Sequence, residues 1–115
     1  MLFVMTDDLT SKHCVPCEGG VEPISEKAVN EYLQQLSLRW EVVDGKKIRH
    51  TFKFKDFKEA MVFINKVAEL AESEGHHPDI HIYYNKVTIE LWTHAIGGLF
   101  DNDFILAAKI EKILT

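Results

Sequence analysis

Apolar and polar positions alternate along this chain with two different periods, and the periods divide it into elements. In SEKAVNEYLQQL, Ala28, Val29, Tyr32, Leu33 and Leu36 recur at helical spacing behind Ser25, whose short hydroxyl suits an N-cap. This predicts an amphipathic helix ending near Ser37. The period then drops to two: Leu38, Trp40 and Val42 alternate with Arg39 and Glu41. Asp44-Gly45 is a hairpin turn signal, and Ile48, His50, Phe52 and Phe54 fall on one parity of the return strand. Helical spacing resumes in KDFKEAMVFINKVAELAESEG, with Asp56 as cap. Phe57, Ala60, Met61, Ile64, Val67, Ala68 and Ala71 form the stripe, and Gly75 is the stop. Pro78 forbids the helix from continuing. DIHIYYNKVTIELWTH predicts a second hairpin turning at Asn85-Lys86, with Val87, Ile89, Leu91 and Thr93 on one face and Thr88, Glu90 and Trp92 on the other. After Gly97-Gly98, DNDFILAAKIEKIL predicts a closing helix.

The expected order is α-β-β-α-β-β-α. That is an α+β fold: a four-stranded antiparallel sheet with three helices packed on one face. Residues 1–24 show neither period and are expected to be an N-terminal arm before a domain spanning 25–115. The opposite sheet face is too mixed for a second core and is free for solvent or assembly.

Composition narrows the function classes. A chain of 115 residues with 46% hydrophobic and 27% charged residues suits one globular domain. The net charge of −5 argues against a nucleic-acid backbone as main partner, and no apolar run reaches the ~18 residues of a membrane span. MLFVMTDD has no basic n-region, so it does not read as an export signal, and Met5 competes with Met1 as the start. The expectation is a cytoplasmic protein in which Cys14 and Cys17 are thiols. Their C-x-x-C spacing, with His13 beside it, would need a fourth ligand for zinc. It lacks the strand and helix of a redox motif, so an arm with reduced thiols is expected.

The chemistry concentrates in EGHHPDIHIYYNKVTIELWTH, which holds four of the six histidines. A metal site, a proton-transfer site and a chance grouping are all open. Pro78 removes the helix on which His77 and His81 would share a face, which weakens the metal reading. Imidazole exchanges protons near neutrality. His76 and His77 follow a helix end at the start of one strand, and His94 closes its hairpin partner. The three therefore meet at one open end of the hairpin. His13, His50 and His81 read as solvated polar residues.

EGHHPDI, YNKVTIELWTH and GGLFDNDFILAAKIE, with RWEVVDGKKIRHTFKFKDFKEAMVFINKVAELAE before them, resemble the pterin-4a-carbinolamine dehydratase family from about Ser25 to Ile113. The resemblance implies removal of water from a 4a-hydroxytetrahydropterin to give the quinonoid dihydropterin, with no metal, nucleotide or redox cofactor. It implies His76, His77 and His94 as catalytic residues: His76 and His94 as acid and base, His77 holding the pterin. Pro78 follows the pair in the matching motif. Glu72 falls on the family's acidic residue, able to orient an imidazole. Asp103 falls on its helix-opening aspartate, able to orient His94 or a pterin amine, or simply to place favourable charge at a helix N-terminus. A homodimer or homotetramer, a functional link to an aromatic amino acid hydroxylase, and a bacterial source for the cysteine-bearing leader are implied as well. Two departures stand out. Phe100 occupies a place where many members carry Ser or Thr, so Asp101 is expected to cap the last helix; Ile80 stands where some members carry an aromatic residue. His81 has no assigned family role. A protein-interaction module, as in animal relatives that partner a transcription factor, and a non-catalytic pterin binder are the alternatives.

Overall fold

A computed structural model describes residues 9–16 and 19–114. The helices are α1 (Glu26–Gln35), α2 (Phe57–Glu74) and α3 (Asp101–Ile113). The strands are β1 (Glu41–Val43), β2 (Lys47–Lys53), β3 (Asp79–Tyr83) and β4 (Lys86–Leu91). The order is the expected α-β-β-α-β-β-α, and the four strands form one antiparallel sheet in spatial order β1-β2-β4-β3. Short 3₁₀ turns add Leu9–Ser11 before α1 and His94–Ile96 after β4.

Register keeps the apolar parity in phase across the sheet. Ile48 pairs with Leu91, His50 with Ile89 and Phe52 with Val87; Ile80 pairs with Ile89 from the other side. Ile48, Val87, Ile89 and Leu91 are fully buried under the helices, together with Val67 of α2 and Phe104, Leu106 and Ile110 of α3. Each such side chain contributes about 1.5–3 kcal/mol by leaving water. The caps are as expected where a side chain can reach. Ser25 Oγ accepts from Ala28 N, Asp56 Oδ1 accepts from Glu59 N, and Gly75 ends α2 in the left-handed region at φ 68°.

Three boundaries differ from expectation. α1 stops at Gln35, because Leu36 is already extended. The stretch Leu38–Trp40 alternates like a strand but lies outside β1. Its backbone is captured by Glu111 of α3, whose carboxylate accepts from Ser37 N, Leu38 N and Trp40 Nε1 at 2.8–2.9 Å. The second turn is Tyr84-Asn85, one residue earlier than Asn85-Lys86, since Tyr83 pairs with Lys86. Tyr84 takes the left-handed conformation (φ 52°), and Asn85 exchanges hydrogen bonds with Phe54 at the end of β2, both at 2.8 Å. Among the described residues no helix is long and apolar enough to cross a membrane.

Candidate active site

The site forms where α2 ends, β4 ends and α3 begins. Gly75 turns the chain out of α2, and the next two imidazoles diverge. His76 points inward and is 9% exposed; the His77 side chain stays 59% exposed. Pro78 leads directly into β3. At the far end of β4, Thr93 bridges to Gly98, and the loop between them carries His94 on its 3₁₀ turn.

Each histidine has its own carboxylate. His76 Nε2 lies 2.6 Å from Asp103 Oδ1, and that aspartate is fully buried. The second oxygen of Asp103 accepts from Thr93 Oγ1 and from the backbone N–H of Phe100, both at 2.9 Å. His77 Nε2 lies 2.6 Å from Glu72 Oε2, one turn back on α2. His94 stacks on Trp92 with centroids 3.9 Å apart, and its Nε2 is 4.0 Å from Asp79 Oδ2, which also accepts from Trp92 Nε1 at 3.0 Å. The three histidines, with Trp92, Val15 and Asn102, line one cleft of about 260 Å³. That is just below the ~300–1,000 Å³ usual for drug-sized ligands, a size for a compact heterocycle.

Two expectations are corrected by this geometry. Asp103 orients His76, not His94, whose neighbours are Trp92 and Asp79. Asp101 is the first residue of α3 rather than its cap: the chain enters the helix at Phe100, which has no side-chain acceptor. The Asp103 carboxylate, three residues on, accepts the Phe100 N–H instead. Serving the cap and serving His76 are done by the same buried group.

The remaining histidines take no part. His50 Nδ1 is 2.9 Å from the Arg39 carbonyl oxygen and its ring packs edge-on against Phe52; His81 lies 3.5 Å from Glu90 on the open sheet face. A larger cleft of about 380 Å³ opens between α1 and α3, but its carboxylate, Glu111, is spent on three N–H groups of the α1–β1 connection. Among the described residues no group of three or more His, Cys, Asp or Glu is placed to hold a metal ion.

Sequence reasoning missed Trp92, Asp79, Asn102 and Glu74. Trp92 had read as a possible assembly contact and instead carries His94. Glu74 accepts from Lys109 Nζ (2.7 Å) and Cys14 N (2.8 Å) and meets His13 Nδ1 at 3.0 Å. Burial alone would raise its carboxyl, but these partners hold it down at about 2. Burial first, and then the Glu74 charge, push the Cys14 thiol up to about 12, which makes it a poor nucleophile. Cys17 and both candidate start methionines lie outside the described residues.

Comparison with known proteins shows the family. The family model described as pterin 4 alpha carbinolamine dehydratase matches residues 22–113. A curated relative from Nitrosospira multiformis that bears that dehydratase name is 48% identical over 107 residues, 93% of each chain. One from Legionella pneumophila (strain Paris) is 46% identical over 111 residues, 96% of this chain and 98% of its own. The crystal structure of a transcriptional coactivator/pterin dehydratase from Brucella melitensis superposes with a TM-score of 0.76 at 37% identity, covering 82% of this chain and all of that one.

Proposed function

The chain belongs to the pterin-4-alpha-carbinolamine dehydratase family, and on that premise we propose that it converts a 4a-hydroxytetrahydropterin to the quinonoid dihydropterin and water. The observation that carries the reading is the cleft itself, in which an aspartate-held imidazole and a second, independently held imidazole border one space.

The reaction needs one proton delivered and one removed. The C4a–OH bond breaks as the hydroxyl takes a proton and leaves as water. The N5–H bond gives its electrons to a new C4a=N5 double bond, and its proton goes to a base. His76 suits the base. With Nε2–H donated to Asp103, the lone pair sits on Nδ1, and the imidazolium formed on proton uptake is stabilised by the buried carboxylate. His94 suits the acid: Trp92 fixes its ring by stacking, and Asp79 is the ion-pair partner of its protonated form. His77, held by Glu72 at the rim, binds the pterin. Pro78 supports the site by fixing the exit from the His76-His77 pair. Water then returns a proton from His76 to His94. The step needs no electron transfer and therefore no redox cofactor.

To the same proposal belong a cytoplasmic location, a homodimer or homotetramer, and a carbinolamine supplied by an aromatic amino acid hydroxylase. The coactivator in the Brucella neighbour's name supports a protein-interaction role as the second reading, but docking alone gives no use to three imidazoles lining one cleft, two of them hydrogen-bonded to carboxylates.

The test generates the 4a-carbinolamine in situ and follows quinonoid dihydropterin formation. The protein should accelerate it, and His94→Ala should lower kcat by about 10²-fold or more. No acceleration above the spontaneous rate removes the enzyme reading. Full activity in His94→Ala removes the acid assignment alone.

A further inference from the structure

The described residues before α1 are built into the cleft. Leu9 is 2% exposed in the main core. Cys14 N donates to Glu74 at the end of α2. At the next residue, Asn102 of α3 grips the backbone twice: Val15 N donates to Asn102 Oδ1 at 2.9 Å, and Asn102 Nδ2 donates to the Val15 carbonyl at 2.7 Å. Asn102 is itself 2% exposed, so a buried amide spends both its polar atoms on fixing residue 15. Farther along, Ile24 N donates to Leu99 O at 3.0 Å, and a methyl added at Gly98 would sit 2.7 Å from Pro23 Cγ. The segment is thus pinned before the cleft, at the cleft and again behind the loop that carries His94.

With its backbone held this firmly, Val15 is still 55% exposed, and it lines the cleft. Core packing explains Leu9, whereas nothing in the fold requires an aliphatic group clamped half in solvent. Three imidazoles, an indole, a hydroxyl and the Asn102 amide line most of the cleft, and Val15, with the smaller Ala95, supplies its aliphatic surface. A flat heterocycle with an apolar face matches such a wall.

We propose that the described residues 13–16 act as a strap at the histidine cleft, that Val15 contacts the face of the substrate ring, and that Asn102 is the positioning residue that sets Val15 there. The proposal rests on the pterin reading above. It adds a specificity determinant outside the imidazoles, one that acts on binding rather than on proton transfer.

Steady-state dehydration, and titration of a stable 7,8-dihydropterin against intrinsic tryptophan fluorescence, test it on the full chain. Asn102→Ala should raise KM by about tenfold with kcat within about twofold, because the strap loses two hydrogen bonds while the acid and base stay in place. Asn102→Asp, which keeps the acceptor and loses the donor, should fall between. Val15→Ala carries no folding risk at an exposed position and should weaken dihydropterin binding by about fivefold through lost apolar contact. Unchanged KM and dihydropterin affinity in Val15→Ala and in folded Asn102→Ala, with wild-type protein active, overturn the strap alone. A fall in kcat at constant KM also overturns it, by placing Asn102 in the chemistry. Wild-type protein that neither binds dihydropterin nor turns over overturns both proposals together.

Discussion

Replacing Asp103 with asparagine changes the charge of one fully buried side chain and almost nothing of its volume. The carboxylate divides its work: Oδ1 meets His76 Nε2, and Oδ2 accepts from Thr93 Oγ1 and Phe100 N. Asparagine has a single acceptor oxygen. Because the Phe100 N–H can only donate, that oxygen stays on the Oδ2 side, and the NH₂ turns toward His76. Nε2 must then accept, which moves the ring proton to Nδ1 and removes the lone pair assigned to the base. The equivalent exchange in a serine-protease triad costs about 10⁴ in kcat. Here His77 and His94 still line the cleft, so the expected fall is about 10²- to 10³-fold, roughly 3–4 kcal/mol of barrier. Loss of one charge-assisted hydrogen bond should also lower stability by about 1–2 kcal/mol, a few degrees in Tm. The assay is single-turnover dehydration of carbinolamine generated in situ, run on wild type, Asp103→Asn, His76→Ala and the double variant. If Asp103 acts only through His76, the double variant matches His76→Ala alone. A kcat for Asp103→Asn within threefold of wild type would refute the tautomer reasoning.

Two further outcomes concern stability. Glu111→Ala strips the acceptor from Ser37 N, Leu38 N and the buried Trp40 Nε1, and urea unfolding should show a loss of about 3–5 kcal/mol; a loss below about 1 kcal/mol means water replaces the carboxylate. Glu74 titrates near 2 in the folded protein against an ordinary 4.5, since its Lys109, Cys14 and His13 partners outweigh burial. A depressed carboxyl stabilises above the unfolded value, and that stabilisation is lost as pH falls from about 4.5 toward 2, with a ceiling of about 3 kcal/mol. Denaturant midpoints measured across that window should therefore fall less steeply in Glu74→Gln, and identical slopes would count against the assignment.

What was legible in the sequence follows from how local its physical cause is. The stripe of α2 and the in-phase parities of β2 and β4 depend on neighbours a few positions away, so periodicity found them. The two misplaced strand features had distant causes. Leu38–Trp40 has strand alternation, but a carboxylate more than seventy residues later competes for its N–H groups and wins. The turn at Tyr84-Asn85 puts a tyrosine at positive φ, against its steric preference, because shifting by one residue would turn Val87 and Ile89 out of the core. The meeting of His76, His77 and His94 was legible for a related reason: hairpin topology alone brings the start of β3 and the end of β4 together.

The partners of those histidines were not legible, and α3 shows why. Asn102 and Asp103 are adjacent, and on a helix adjacent side chains point about 100° apart. One reaches out to the strap at Val15; the other reaches in to His76 and Thr93. No pattern in DND says which residue takes which direction. That depends on where the helix starts, and the start is fixed by a cap made from Asp103 itself, because Phe100 has no acceptor to offer. A single first turn thereby positions both walls of the cleft, the one that holds the proposed base and the one that holds the proposed strap. The neighbouring substitutions should then separate in kinetics, with Asp103→Asn felt in kcat and Asn102→Ala in KM. Rotation or fraying of that turn, by contrast, would move both parameters together.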